Sequence, residues 1–185
     1  MPTQIAAKSQ VGSTWGVAYN RTSQTIYSAA FVKRHVGIGP DGAGAIYSTT
    51  RNGASTTLFV DMATLGANLG TSIPSDAARG LGDPVSPSND PTVYGLVGKA
   101  GLGAIEMNAD DSLLYVTSLN DKKLYAVNVP NGTLSGSYAI PDPGCVGGAW
   151  RPFGLKFYEK ALDSFCASIG SKIMFSIIQA ITFVN

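Results

Sequence analysis

"GAIEMNADDSLLYVTSLNDKKLYAVNVPNGT", residues 103–133, decides the fold. Short apolar-rich runs stand at Gly103–Met107 and Leu113–Thr117, bounded by turn residues, and read as strands rather than a helix. Between the two runs stands Asn108-Ala109-Asp110-Asp111-Ser112. Its Asn and Asp side chains accept backbone hydrogen bonds and tolerate left-handed dihedrals, so the chain reverses there. A second turn at Asn120-Asp121-Lys122 leads into Lys123–Val129, and Pro130-Asn131-Gly132-Thr133 closes the unit. Three consecutive antiparallel strands follow from this stretch alone.

The same pattern occurs earlier. Gly16–Tyr19 passes through the polar turn Asn20–Gln24 into Thr25–Phe31, with further strand signals at Gly44–Ser48 and Thr57–Asp61. A third start stands at Phe153–Tyr158. A meander of about four strands that recurs along a chain is how a β-propeller blade reads. The expected fold is all-β, a partial β-propeller of antiparallel four-stranded blades, with about three blade units over residues 1–159. The segment at 62–99, dense in Gly, Pro, Ser and Asp, is expected to be a long solvated loop between blades. Composition agrees: 44% hydrophobic, 14% charged, 22 Gly and 10 Pro in 185 residues, a turn-rich globular chain. Thirteen basic and 12 acidic residues leave a formal charge of +1, which gives no electrostatic reason to expect nucleic acid or an anionic membrane as partner.

From Lys160 the alternation fails, and residues 160–185 read as an atypical hydrophobic tail, helical or a closing strand. Its longest apolar run, Ile173–Val184, is interrupted by Ser176, Gln179 and Thr182 and is shorter than the roughly 20 residues that span a bilayer; no transmembrane segment is expected. The run is strongly β-prone and nearly uncharged, so the chain should self-associate through it if it finds no edge to cover. The start at Met1–Lys8 lacks the basic and apolar parts of a secretory signal. Codons for Glu159–Leu162 shifted by one base permit a restored strand start. The expectation is therefore a gene fragment ending in an out-of-frame tail, with the localisation of the chain as written left open.

Candidate chemistry is sparse. Glu106, Asn108 and Asp110 carry oxygen ligands suited to calcium, but they lack the DxDxDG spacing and the bidentate Glu, and a plain turn is the expected role of the last two. His35 is the only histidine; without a second His, Cys or Ser partner motif it reads as a loop residue. Gly37–Gly42 contains Pro40 between strands, which excludes the helix that a dinucleotide fingerprint requires, and reads as a hairpin turn. Cys145 and Cys166 are the only cysteines and form either a disulfide or nothing. No catalytic set and no cofactor site is expected. The tyrosines fall at strand positions, where packing accounts for them. Trp15 and Trp150 each precede a first-strand start and are expected to close contacts between blades.

The strings at 11–47, 97–127 and 137–158, above all Lys33–Gly42 and Trp150–Phe153, resemble the N-terminal β-propeller region of large bacterial secreted or surface proteins that carry SdrD B-like or Ig-like adhesion modules. The resemblance covers about residues 7–158, in repeats of YVTN-like character. It implies a non-enzymatic scaffold or interaction module at the cell surface, with protein or carbohydrate as partner. The alternative is a fragment of a calcium-dependent propeller hydrolase or lactonase, in which Glu106 on an inner strand would hold the metal.

Overall fold

The computed structural model describes residues 4–82, 88–144, 148–158, 161–168 and 175–182, with side chains up to Lys156. After a one-turn helix, α1 (Lys8–Val11), the chain forms β1 (Thr14–Asn20), β2 (Thr25–Ala30), β3 (Ala45–Thr50) and β4 (Thr56–Asp61). These four pair in sequence order as an antiparallel sheet. A second such sheet holds β5 (Leu102–Met107), β6 (Leu113–Ser118), β7 (Lys123–Asn128) and β8 (Thr133–Ala139). A third, three-stranded, holds β9 (Trp150–Tyr158), β10 (Ala161–Ser168) and β11 (Phe175–Thr182). The first strands β1, β5 and β9 pack side by side, so the sheets are successive blades of a partial β-propeller, each with its inner strand on a common channel.

Apolar burial holds the blades together. Ala18, Tyr27, Ile46 and Val60 of blade 1 meet Ile105, Leu114, Val116, Tyr125 and Val127 of blade 2 in one cluster. The opposite face of blade 2 (Ala104, Tyr115, Leu124, Ala126) meets Trp150 and Leu155 of blade 3. Each fully buried aliphatic side chain here stabilises the fold by about 1.5–3 kcal/mol. The turns follow their side chains: Asn108 Oδ1 accepts from the backbone N–H of Ser112 (2.9 Å) and Leu113 (3.0 Å), and Gln24, Asp111 and Lys122 stand at positive φ at the reversals.

Four readings of the sequence change against this fold. The segment at 62–99 is a long and largely exposed connection over its described parts, but it is anchored at a few buried points. Its Met62, Arg79, Asp90 and Val93 are buried, and 3-10 turns stand at Met62–Leu65 and Pro91–Val93. Gly37–Gly42 lies within a longer β2–β3 connection: Ile38 bridges Gly12, and only Gly39–Gly42 forms a tight turn, Gly42 N–H donating to Gly39 O at 3.1 Å. Pro130–Thr133, read as the turn that closes the unit, leads into a full outer strand at Thr133–Ala139. The break at Lys160–Phe165 does not end the sheet, because β10 pairs with β9 and with β11. Register shifts between Leu162 and Ser164, and between Phe165 and Cys166, mark bulges whose extra residue lies on the partner strands: β11 takes three steps from Ile181 to Ile178 where β10 takes two, and β9 takes two from Gly154 to Pro152 where β10 takes one. Cys145 lies outside the described residues, so the Cys145–Cys166 pairing does too; Cys166 is placed only by its backbone, opposite Pro152 and Ser176. Among the described residues no helix is long and apolar enough to cross a membrane.

Candidate functional site along the inner strands

The inner strands β1, β5 and β9 carry the side chains that reach the channel. At one end, Trp15 of β1 lies against Phe31 (5.7 Å between ring centroids) and edge-on to Phe153 of β9 (5.3 Å). Phe31 and Phe153 are themselves edge to face at 5.6 Å. Trp15 Nε1–H donates to Phe153 O at 3.1 Å. Such pairs add about 0.5–1.5 kcal/mol each beyond the area they bury, so this trio ties blade 1 to blade 3 across the end of blade 2. The expectation for Trp15 as a contact between blades holds in this form. Trp150 is buried against blade 2 and carries the Lys122 ammonium over its ring at 4.8 Å.

The other end of the strands opens into a cleft of about 470 Å³, lined by Val17, Tyr19, Arg21, Glu106, Asn108 and Lys156 among others. Glu106, the acidic group assigned to the alternative metal role, accepts a hydrogen bond from Lys156 Nζ at 2.8 Å. Asn108 Oδ1 is engaged by its turn, and Asp110 Oδ1 accepts from Ser112 Oγ (2.7 Å) and Ser112 N–H (3.3 Å). These bonds, the hydroxyl first, hold the Asp110 carboxyl below its usual range. Glu106, Asn108 and Asp110 therefore share the neighbourhood of one turn, while Glu106 serves Lys156 and the oxygens of Asn108 and Asp110 both serve Ser112. Among the described residues no group of three or more His, Cys, Asp or Glu side chains is placed to hold a metal ion.

The structure shows two polar clusters that sequence reasoning missed. Asp111, 8% exposed, is the pin between the β1–β2 and β5–β6 turns. Its Oδ2 accepts from the N–H of Arg21 (3.0 Å), the N–H of Thr22 (2.9 Å) and the Thr22 hydroxyl (2.9 Å). The Arg21 guanidinium adds an ion pair at 3.3 Å, but its side chain is 63% exposed, so that pair contributes little and the backbone bonds matter more. The second cluster fastens the 62–99 segment onto the β2–β3 connection. Arg79 grips Asp90 with two bonds, Nε to Oδ1 at 3.1 Å and Nη2 to Oδ2 at 2.7 Å. The same Nη2 donates to Lys33 O and Val36 O, and Asp90 Oδ2 accepts from His35 N–H at 2.9 Å. His35 is thus a loop residue at φ 63° whose Nδ1 lies 2.7 Å from Ser88 Oγ. No local spacing announces these partners, since Asp111 reaches back about 90 positions and Arg79 reaches Lys33 across 46.

Both acids are held below the usual carboxylate range. For Asp90 the Arg79 hydrogen bonds are the largest cause, burial opposes them, and the His35 N–H assists. For Asp111 burial is the largest influence and disfavours the charge, but the Thr22 and Arg21 donors together outweigh it. A folded-state value below the unfolded one means stabilisation that is complete above the ordinary value of 3.8 and lost as pH falls through the lowered folded value. The melting temperature is therefore expected to hold from neutral pH to about 5 and to drop below about 4. Asp111→Asn should lose a measurable part of that acid slope; an unchanged slope would remove Asp111 as a source.

No family model matches the sequence. Among curated proteins, Colossin-D of Dictyostelium discoideum is 32% identical over 156 residues, covering 82% of this chain and 16% of the relative. Colossin-C of the same organism is 27% identical over 172 residues, covering 91% of this chain and 16% of the relative. The chain thus spans about a sixth of the length of the curated relatives it matches, and neither relative is bacterial. Among solved structures, a luciferin-regenerating enzyme superposes on 93% of this chain with a TM-score of 0.50 and 10% identity, while the chain covers 45% of that enzyme. At that identity the likeness is one of fold.

Proposed function

We propose that the chain is a non-enzymatic β-propeller scaffold or interaction module within a larger surface-associated protein, with protein or carbohydrate as its class of partner. The observation that carries this reading is the use made of the inner strands. Trp15 and Phe153 join at one end, and Glu106 and Lys156 join at the other, so side chains that face the channel connect blade to blade. A carboxylate hydrogen-bonded to an ammonium at 2.8 Å is already neutralised, and a cation would have to displace Lys156 to reach it. The matches to much longer relatives support a place in a larger protein.

Calcium titration separates this reading from a calcium-dependent hydrolase. With millimolar calcium the melting temperature should stay within experimental error of the metal-free value, and calorimetry should show no saturable heat. A saturable calcium-dependent rise that disappears in Glu106→Gln would overturn the proposal. Lys156→Met is expected to cost about 0–1 kcal/mol, because the lysine is 65% exposed and such pairs are weak; a urea titration measures it.

A further inference from the structure

The triplet Asn-X-Ser/Thr, with X any residue but Pro, stands twice in the chain, as Asn20-Arg21-Thr22 and as Asn131-Gly132-Thr133. In a protein that passes through the secretory pathway this triplet is the acceptor for an N-linked glycan, a bulky and hydrated group that needs a surface loop. The fold treats the two copies in opposite ways.

Asn20 ends β1 and is 3% exposed. Its Nδ2 donates to Asp111 O at 3.0 Å, and its Oδ1 accepts from Ser23 N–H at 2.7 Å. The Thr22 hydroxyl, the other chemical half of the motif, donates to Asp111 Oδ2 at 2.9 Å. Both side chains of this triplet therefore belong to the pin that joins the β1–β2 and β5–β6 turns. A sugar on Asn20 would have to draw the side chain out of the protein and leave the buried groups around it without their partners.

Asn131 stands in the turn between β7 and β8, the two outermost strands of blade 2. It is exposed, and among the described residues its side chain makes no hydrogen bond. Gly132, at φ 68°, reverses the chain, its N–H donating to Asn128 O at 2.9 Å. Thr133 is exposed at the start of β8. Its Oγ1 accepts from Asn128 Nδ2 at 3.1 Å and keeps its own proton to donate, since a hydroxyl offers one O–H and two lone pairs. The amide nitrogen and the hydroxyl that the motif requires are thus both open to solvent at the second triplet and both sequestered at the first.

We propose that Asn131 is an N-glycosylation site of the folded chain and that Asn20, with the same motif, is not. The donor is a lipid-linked oligosaccharide diphosphate, brought to the turn by an oligosaccharyltransferase. The bond from the sugar C1 to the diphosphate oxygen breaks, and the lipid diphosphate departs with the electron pair. A bond from C1 to Asn131 Nδ2 forms and Nδ2 loses one proton, with no oxidant or reductant taking part. The compartment in which this happens rests on the surface-associated reading, whereas the accessibility of Asn131 rests on the fold alone.

The folded 185-residue chain, incubated with a purified single-subunit oligosaccharyltransferase and its lipid-linked donor, tests this outside any cell. Intact mass should rise by one glycan. Peptide mapping after enzymatic deglycosylation, which converts a glycosylated Asn to Asp, should place it at Asn131. Asn131→Gln and Thr133→Ala should each lose the addition and Thr133→Ser should keep it. All three should retain the wild-type circular dichroism spectrum, because both positions are exposed. A synthetic peptide of residues 16–26 should accept the glycan at Asn20, showing that the fold and not the triplet withholds that site. A folded chain left unmodified would overturn the proposal, and so would a glycan on Asn20 of the folded chain or an addition that survives Asn131→Gln. An inert 16–26 peptide would overturn the fold as the reason for Asn20. The surface-associated reading fails on a different result, retention of the protein in the cytosol of its own cells, which the purified reaction does not touch.

Discussion

Arg79→Met is expected to lower the unfolding free energy by about 3–5 kcal/mol, the cost of leaving one member of a buried, hydrogen-bonded ion pair without its partner. Asp90 has no exposed side-chain surface and Arg79 has 1%. The methionine would fill much of the volume but supply no donor, leaving a carboxylate with only the His35 N–H among the described residues and leaving the carbonyls of Lys33 and Val36 without the guanidinium. Against a typical total of about 5–15 kcal/mol, that is a large fraction. Urea unfolding followed by circular dichroism measures it. Arg79→Met combined with Asp90→Asn should be less destabilised than Arg79→Met alone, since removing the stranded charge relieves the main penalty. A loss below about 1 kcal/mol for the single variant would mean that the pair behaves as a surface ion pair and does not clasp the segment. In hydrogen exchange the single variant should lose protection first at residues 33–38 and 88–93, the two stretches that the clasp joins.

How legible the chain is depends on which forces leave a local trace. Strands that bury one or both faces announce themselves: the runs at Gly16–Tyr19, Leu113–Thr117 and Lys123–Val129 become β1, β6 and β7, because burial selects apolar residues, at period 2 where one face is buried and in a continuous run where both are. Thr133–Ala139 buries almost nothing as the outermost strand of its blade. It is held by backbone pairing with β7, which selects no side chains, and so it leaves no strand signal after the turn at Pro130–Thr133. β10 fails to show because Ala161–Ser168 does not alternate, while its backbone pairing with β9 and β11 continues along it. In the candidate site, Glu106 lies on a first strand as its repeat position implies, but its partner Lys156 lies 50 positions away on another blade. The Arg79–Asp90 clasp shows the limit most clearly. A loop poor in apolar periodicity looks solvated, and one buried charge pair with three backbone partners is enough to anchor it.

Leu114→Ala should cost about 2–5 kcal/mol, and where that energy is lost matters as much as its size. Leu114 has no exposed surface. It sits on β6 opposite Met107 of β5 and Val127 of β7 and belongs to the cluster that blade 2 shares with blade 1. In a repeat architecture, stability is approximately a sum of intrinsic blade terms and nearest-neighbour interface terms, and a residue at such an interface draws on both. Removing three carbons from a site closed on one side by its own sheet and on the other by the next blade leaves a cavity that neither can fill without shifting the other. The substitution should therefore loosen blade 1 against blade 2 before either blade melts. Its expected signature is a lower urea midpoint with a reduced m-value, as partly separated blades enter the transition, and early loss of amide protection in β1 and β5 together. Leu134→Ala is the internal comparison, at 41% exposure on the outer strand of the same blade; it should cost less than about 0.5 kcal/mol. Equal losses from the two substitutions would show that the contact between the blades adds nothing to the stability of the blades themselves.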